Sequence, residues 1–99
     1  MAAYWPKSTM IRADLSSSTA VGPNLTRANL RGAIMDSVIL TDADLTGAIM
    51  KSVDLNDADL AYADLMESNL SFVSLKGAKI PNLDLTGADL SWADLRGLS

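Results

Sequence analysis

The chain contains no cysteine and no histidine among its 99 residues. Without cysteine it can form neither a disulfide nor a thiolate metal site. Without histidine it lacks the usual general base and the commonest metal ligand. No phosphate-cradling glycine loop, HExxH motif or serine with a suitably spaced lysine takes their place. These absences favour a protein that is not an enzyme, and we expect no catalytic residue, no cofactor and no metal site.

Long apolar runs are also missing, although 48% of the residues are hydrophobic. The longest run, Met1 to Trp5, is too short for a membrane span or a signal peptide, and no basic segment precedes it. We therefore expect a single cytoplasmic domain over residues 1–99 that has no contact with a membrane.

What the chain has is a strict period of five. In the frame set by Leu60, a leucine or another apolar residue occupies nearly every central position. Thirteen of the fifteen leucines fall on this frame, and we predict that they stack in the core: Leu15, Leu25, Leu30, Leu40, Leu45, Leu55, Leu60, Leu65, Leu70, Leu75, Leu85, Leu90 and Leu95.

The positions around each centre are just as regular. A small residue usually stands two places before the centre, and Asp or Asn often stands immediately before it, as in Ala58-Asp59-Leu60. All six glycines fall two places after a centre. A period of five fits neither a helix face, which repeats at 3.6, nor a strand face, which repeats at two. It suits a chain that turns a corner at every unit and stacks on itself as a solenoid.

This pattern resembles that of the pentapeptide-repeat family, usually written A(D/N)LXX, over almost the whole chain. The resemblance implies an all-β fold, a right-handed quadrilateral parallel β-helix with four pentapeptides per coil. Ninety-nine residues would then form about five coils. In such a fold the central residue and the small residue face inward, and the other three positions face solvent.

The two ends of the repeat differ from its middle. Residues 1–10 keep the frame loosely, with Tyr4, Trp5 and Pro6 in one unit. They predict an N-terminal cap or, alternatively, a docking surface for another protein. At the other end, Trp92, Leu95 and Leu98 form a possible end-to-end interface, because no helical segment follows to cover the last coil. We therefore expect a homodimer or stacking against a related repeat chain.

Two departures from the motif leave alternatives open. Ile34, Ile39 and Ile49 stand where Asp or Asn is usual. Either they lie on the surface, in a small apolar patch with Val21 or Ile11 nearby, or a backbone adjustment turns them inward, and we favour a structural variant without a partner. Phe72 and Trp92 are twenty residues apart and should be neighbours on adjacent coils. Such a pair either stabilises the fold or forms a binding spot.

The acidic residues suggest two functions. Residues 36–67 hold eight acids against Lys51 alone, and stacking should align Asp44, Asp64 and Asp84 as a possible acidic interaction face below Asn24. Local backbone bonds alone could explain each Asp. We favour a non-enzymatic structural or protein-interaction module with a rigid surface. The alternative, suggested by the resemblance, is an acidic DNA mimic that binds DNA gyrase or another topoisomerase, as resistance and immunity proteins do. In neither case do we expect direct binding to nucleic acid.

Overall fold

The computed structural model describes residues 9–20 and 22–99 of the chain. The predicted N-terminal cap therefore lies outside the described residues, apart from Thr9 and Met10. The described residues contain no helix, and their strands are single bridged residues. All fourteen bridges among the described residues are parallel, and each joins two residues that are twenty apart, from Thr9↔Asn29 to Ser74↔Asp94. Four five-residue units therefore complete one coil, as the sequence pattern predicts.

The bridged residues form one column on each of four faces, which we number in chain order. The first face holds Thr9, Asn29, Ile49, Asn69 and Asp89, and the second holds Asp14, Ile34, Asp54, Ser74 and Asp94. The third face holds Thr19, Ile39, Asp59 and Lys79, and the fourth holds Asn24, Asp44, Asp64 and Asp84. The first corner is the turn between the first and second faces, and its residues are 11, 12, 31, 32, 51, 52, 71, 72, 91 and 92.

Each corner is a tight turn whose third residue has positive φ. The amide of the small residue closes the turn on the carbonyl of the preceding centre, as Ala48 does on Leu45 at 2.9 Å. The φ angles at the third turn residue lie between 57° and 73°, and glycine fills only six of these positions. Positive φ at this position is typical of a type II turn and costs other residues more than glycine. The stacked coils must therefore hold side chains such as Phe72 and Trp92 in this conformation.

The hydrogen bonds of one unit explain why Asp or Asn recurs in the motif. In the unit 44–48, the amides of Asp44, Leu45 and Gly47 donate to neighbouring coils, and Ala48 closes the turn. Only the Thr46 amide has no backbone acceptor, and it donates to Oδ1 of Asp44 at 3.1 Å. The acidic position thus supplies the one acceptor that the backbone cannot, because each buried or half-buried amide needs a partner.

Every Asp and Asn at this position makes the same bond to the amide two residues ahead: residues 14, 24, 29, 44, 54, 59, 64, 69, 84, 89 and 94. Pro81 occupies the same turn position as Thr46. The amide at this position does not take part in the backbone ladder, so proline is tolerated there although it has no amide hydrogen. Each Asx bond also directs its oxygen toward the corner that follows.

The inward positions form a continuous apolar core. Of the thirteen leucines assigned to it, nine are at most 3% exposed: Leu25, Leu30, Leu40, Leu45, Leu55, Leu60, Leu65, Leu70 and Leu75. Leu15, Leu85 and Leu90 are half-buried and pack against this cluster. Leu95, which is also part of the possible end-to-end interface, is 43% exposed. It lies in the last coil, where only one side of the side chain has a neighbouring coil.

The three isoleucines at the acidic position lie on the surface. Ile34 is 42% exposed and Ile39 is 39% exposed, while Ile49 is half-buried. Each keeps its bridges to the coils on both sides. The backbone therefore does not turn these side chains inward, because the ladder alone fixes which positions point outward. Ile11, a candidate neighbour of the patch, is exposed as well, whereas Val21 lies outside the described residues.

Candidate functional site

The fourth face carries the acidic column that the sequence predicts. Asn24, Asp44, Asp64 and Asp84 are successive bridge partners, so their side chains follow one another at the coil spacing of about 4.8 Å. In each carboxylate, Oδ1 accepts an amide at 2.9 to 3.1 Å. These bonds hold the carboxylates in place on a flat face, although like charges this close repel one another.

Hydrogen bonds also shift the titration of several surface carboxyls. The backbone amide of Thr86, together with its hydroxyl, lowers the pKa of Asp84. The hydroxyl and amide of Ser16 lower the pKa of Asp14, and those of Ser91 do the same for Asp89. Because donors stabilise the ionised form, these three carboxylates, which lie on three different faces, keep their negative charge in more acidic solution than an ordinary aspartate does.

The predicted aromatic pair is present on the first corner. The rings of Phe72 and Trp92 are stacked with centroids 6.4 Å apart and planes inclined by 13°. On the opposite side of Phe72, Nζ of Lys51 lies 5.8 Å from the ring centroid, within the range of a cation–π contact. Trp92 is 82% exposed, so the end of this aromatic ladder faces solvent.

A second feature of the first corner is not apparent from the repeat pattern. Arg12, Arg31 and Lys51 lie on three successive coils around an open groove of about 590 Å³, which Ile11, Gly32 and Ser52 also line. We call these six residues the basic groove. The cations are about twenty residues apart in the sequence, and sorting the charges by that spacing would have found them. The excess of acidic residues in 36–67 hides these cations when charge is counted along the sequence.

The residues proposed for an end-to-end interface lie together in the last coil. Trp92 is 82% and Leu95 43% exposed, whereas Leu98 is half-buried against the core. Asp94 and Arg96 form an ion pair there, with Nη2 and Oδ2 separated by 2.8 Å. Among the described residues no cluster of acidic side chains could hold a metal ion, and no helix is long and apolar enough to cross a membrane.

A profile of the family described as pentapeptide repeats matches eight copies in the chain, over residues 8–47, 24–60, 48–85 and 63–97. These matches cover nearly all of the sequence. The chain belongs to the pentapeptide-repeat family. Its fold is the family's right-handed four-sided β-helix, which confirms the expected fold class, and it is a repeat-protein interaction module.

Several solved pentapeptide-repeat structures are similar. HetL from the cyanobacterium Nostoc sp. strain PCC 7120, involved in regulating heterocyst differentiation, aligns over 97% of the chain with TM-score 0.94 and 28% identity. The chain spans only 46% of the length of HetL. The pentapeptide-repeat protein alr5209 from Nostoc aligns with TM-score 0.58 and 28% identity over 85% of this chain and 81% of its own.

The fluoroquinolone-resistance protein QnrB1, which is plasmid-mediated, aligns with TM-score 0.51 over 99% of this chain and 74% of its own. Its identity of 18% supports a shared fold alone. No curated protein sequence matches the chain.

Proposed function

We propose that this pentapeptide-repeat rod is a non-enzymatic module that binds a protein partner with a basic surface through its fourth face. The observation that carries the proposal is the column Asp44, Asp64 and Asp84, in which a backbone amide fixes one oxygen of each carboxylate. Side chains that are ordered before binding lose little conformational entropy in a complex. A regular line of charge also steers an oppositely charged partner toward the face.

The test is a triple substitution, Asp44→Asn, Asp64→Asn and Asp84→Asn. Asparagine already makes the same Asx bond at Asn24 and Asn29, so these changes remove charge without removing the turn acceptor. The control changes Asp14, Asp54 and Asp94 on the second face to Asn, which alters the net charge equally at the same motif position.

The two variants and the unmodified chain are used as bait, and the captured proteins are quantified. We expect the unmodified chain to capture basic proteins, the triple variant of the fourth face to lose them, and the second-face control to retain them. Equal retention by all three baits, or equal loss with both variants, would contradict a role for the fourth face.

A second candidate is a DNA mimic that binds DNA gyrase or another topoisomerase. It is supported by the same column, because like charges repeat in a line along one side of the rod. The repeat of about 4.8 Å is longer than the rise of about 3.4 Å per phosphate along one DNA strand, so any mimicry would be approximate. A supercoiling assay with purified gyrase separates the candidates. Inhibition that the fourth-face variant loses and the control keeps supports the mimic, whereas no inhibition rejects it.

A further inference from the structure

The first corner concentrates positive charge in an acidic protein. The chain has a net charge of −4, yet none of the ten residues of the first corner is acidic. Three of its residues are cations: Arg12, Arg31 and Lys51. None of these three has a carboxylate partner within 4.0 Å among residues 9–20 and 22–99, where Asp94 and Arg96 make the ion pair. Their charge is therefore available to a ligand.

The first face departs from the motif beside this groove. Asx side chains point to the corner that follows them, so the side chains directed at the first corner come from the first face. Next to the groove these are Thr9, Asn29 and Ile49, and none is charged. The acids of the second face point to a different corner, since Oδ1 of Asp14 accepts a hydrogen bond from the amide of Ser16, which lies in the turn between the second and third faces.

Ile49 has a further effect on the groove. An Asp or Asn at position 49 would accept a hydrogen bond from the amide of residue 51, but the isoleucine side chain has no acceptor atom. The Lys51 amide consequently has no hydrogen-bond partner in the part of the chain that the structure describes. One substitution in the repeat thus removes a negative charge from the groove and leaves a backbone donor beside the Lys51 side chain.

Gly32 keeps the groove open. The residue has φ of 68°, and a Cβ added there would lie 3.4 Å from Cγ of Arg12, so a side chain at this position would project against Arg12 and narrow the groove. The resulting volume of about 590 Å³ is in the range of small-molecule sites.

We propose that the basic groove binds a ligand carrying at least two phosphate groups. Arg12 and Arg31 would contact phosphate oxygens through their guanidinium groups, which suit this geometry, and Lys51 would add a point charge. The Lys51 amide and the Ser52 hydroxyl would supply uncharged donors. The phosphates could belong to an oligophosphate, to a nucleotide or, contrary to the expectation from the sequence, to a nucleic-acid strand. A base attached to them would reach Phe72, which Lys51 already contacts.

The test measures binding by isothermal titration at low salt, with inorganic triphosphate, a nucleoside triphosphate, an eight-residue oligothymidylate and an oligoaspartate peptide. The main variant is Arg12→Ala, Arg31→Ala and Lys51→Ala. Its control is Arg27→Ala, Lys76→Ala and Lys79→Ala, which lowers the net charge equally. Arg27 is a close match for Arg12, because it has the same turn position, and φ is 57° against 58°.

Two single variants probe the groove without removing a cation. Ile49→Asp restores the motif residue and should take the Lys51 amide while placing a carboxylate beside the groove. Ile39→Asp makes the same change on the third face and serves as the control. Restoring an Asx acceptor preserves the turn, and thermal melting of all variants verifies that each is folded.

The proposal expects saturable binding of the phosphate ligands to the unmodified chain. Binding should weaken at least tenfold in the groove triple variant and in Ile49→Asp, and at most about twofold in the two controls. Tighter binding of the nucleotide than of triphosphate would identify a nucleotide as the source, and tighter binding of the oligothymidylate would identify a strand. No binding of any phosphate, equal weakening in groove and control variants, or preference for oligoaspartate would overturn the proposal.

Discussion

Replacing Leu65 with alanine should test the buried core most clearly. Leu65 is fully buried at 0% exposure and lies between coils on both sides. Truncating such a leucine removes the transfer energy of its side chain and leaves a cavity, at a total cost of about 2 to 5 kcal/mol. Since domains of this size are stable by about 5 to 15 kcal/mol, we expect a large effect. Thermal unfolding followed by circular dichroism should show Tm lowered by about 10 °C or more.

Two control variants separate burial from motif position. Leu95→Ala changes the same position of the repeat, but Leu95 is 43% exposed and encloses no cavity, so the loss should be about 1 kcal/mol. Glu67→Ala changes an exposed residue of the same unit as Leu65 and should alter stability by about 0.5 kcal/mol or less. Equal melting temperatures for Leu65→Ala and Glu67→Ala would refute the assignment of inward and outward positions.

Four further predictions follow from the surface. The free energy of unfolding should be constant above about pH 5 and fall below about pH 4. The pKa of Asp84 is lowered in the folded state, so the unfolded chain takes up a proton at higher pH than the folded chain does. An acid titration in which the protein loses no stability would contradict this prediction. Asp64→Asn should keep the Asx hydrogen bond and remove charge repulsion along the fourth face. It should therefore raise the free energy of unfolding by about 0.2 to 1 kcal/mol at low salt and by less at high salt. A lower Tm for this variant would contradict the prediction. A double-mutant cycle of Phe72→Ala and Trp92→Ala should give a coupling of about 0.5 to 1.5 kcal/mol, whereas additive losses would mean that the stacked rings contribute nothing. Light scattering of residues 1–99 should detect a dimer that Leu95→Lys dissociates, and a monomer at high concentration would reject self-association of this chain.

The sequence predicts the fold well because one spacing determines it. Once leucine recurs every five residues, the coil of four units follows from the family resemblance, and residues twenty apart become neighbours. The acidic column and the Phe72–Trp92 pair are then predictable, because each needs only that register. The sequence does not decide whether Ile34 and Ile39 lie on the surface, since an apolar side chain at an outward position conflicts with the usual rule of burial. The backbone ladder places both side chains on the surface.

The basic groove could not be inferred as readily. It depends on Arg12 and Arg31, which occupy different positions within their turns and therefore do not share one motif position. It also depends on the Lys51 amide, which has no acceptor among the described residues. That feature becomes visible only when the hydrogen bonds of a whole unit are counted. Leu95 shares its motif position with the buried leucines but is 43% exposed, because it lies in the last coil that the structure describes.

Cross-linking of engineered cysteine pairs tests the four-unit coil most directly, because the natural chain has no cysteine to interfere. Ser37 and Asp57 occupy the same corner on adjacent coils, where the Ser37 amide donates to the Asn56 carbonyl at 2.8 Å. A disulfide requires Cα atoms within about 7 Å. Mild oxidation of Ser37→Cys/Asp57→Cys should therefore form a disulfide, detected by mass spectrometry, whereas Ser37→Cys/Ser52→Cys, fifteen residues apart on neighbouring corners, should remain reduced. Cross-linking of the fifteen-residue pair alone would indicate three units per coil and would contradict every column and groove described above.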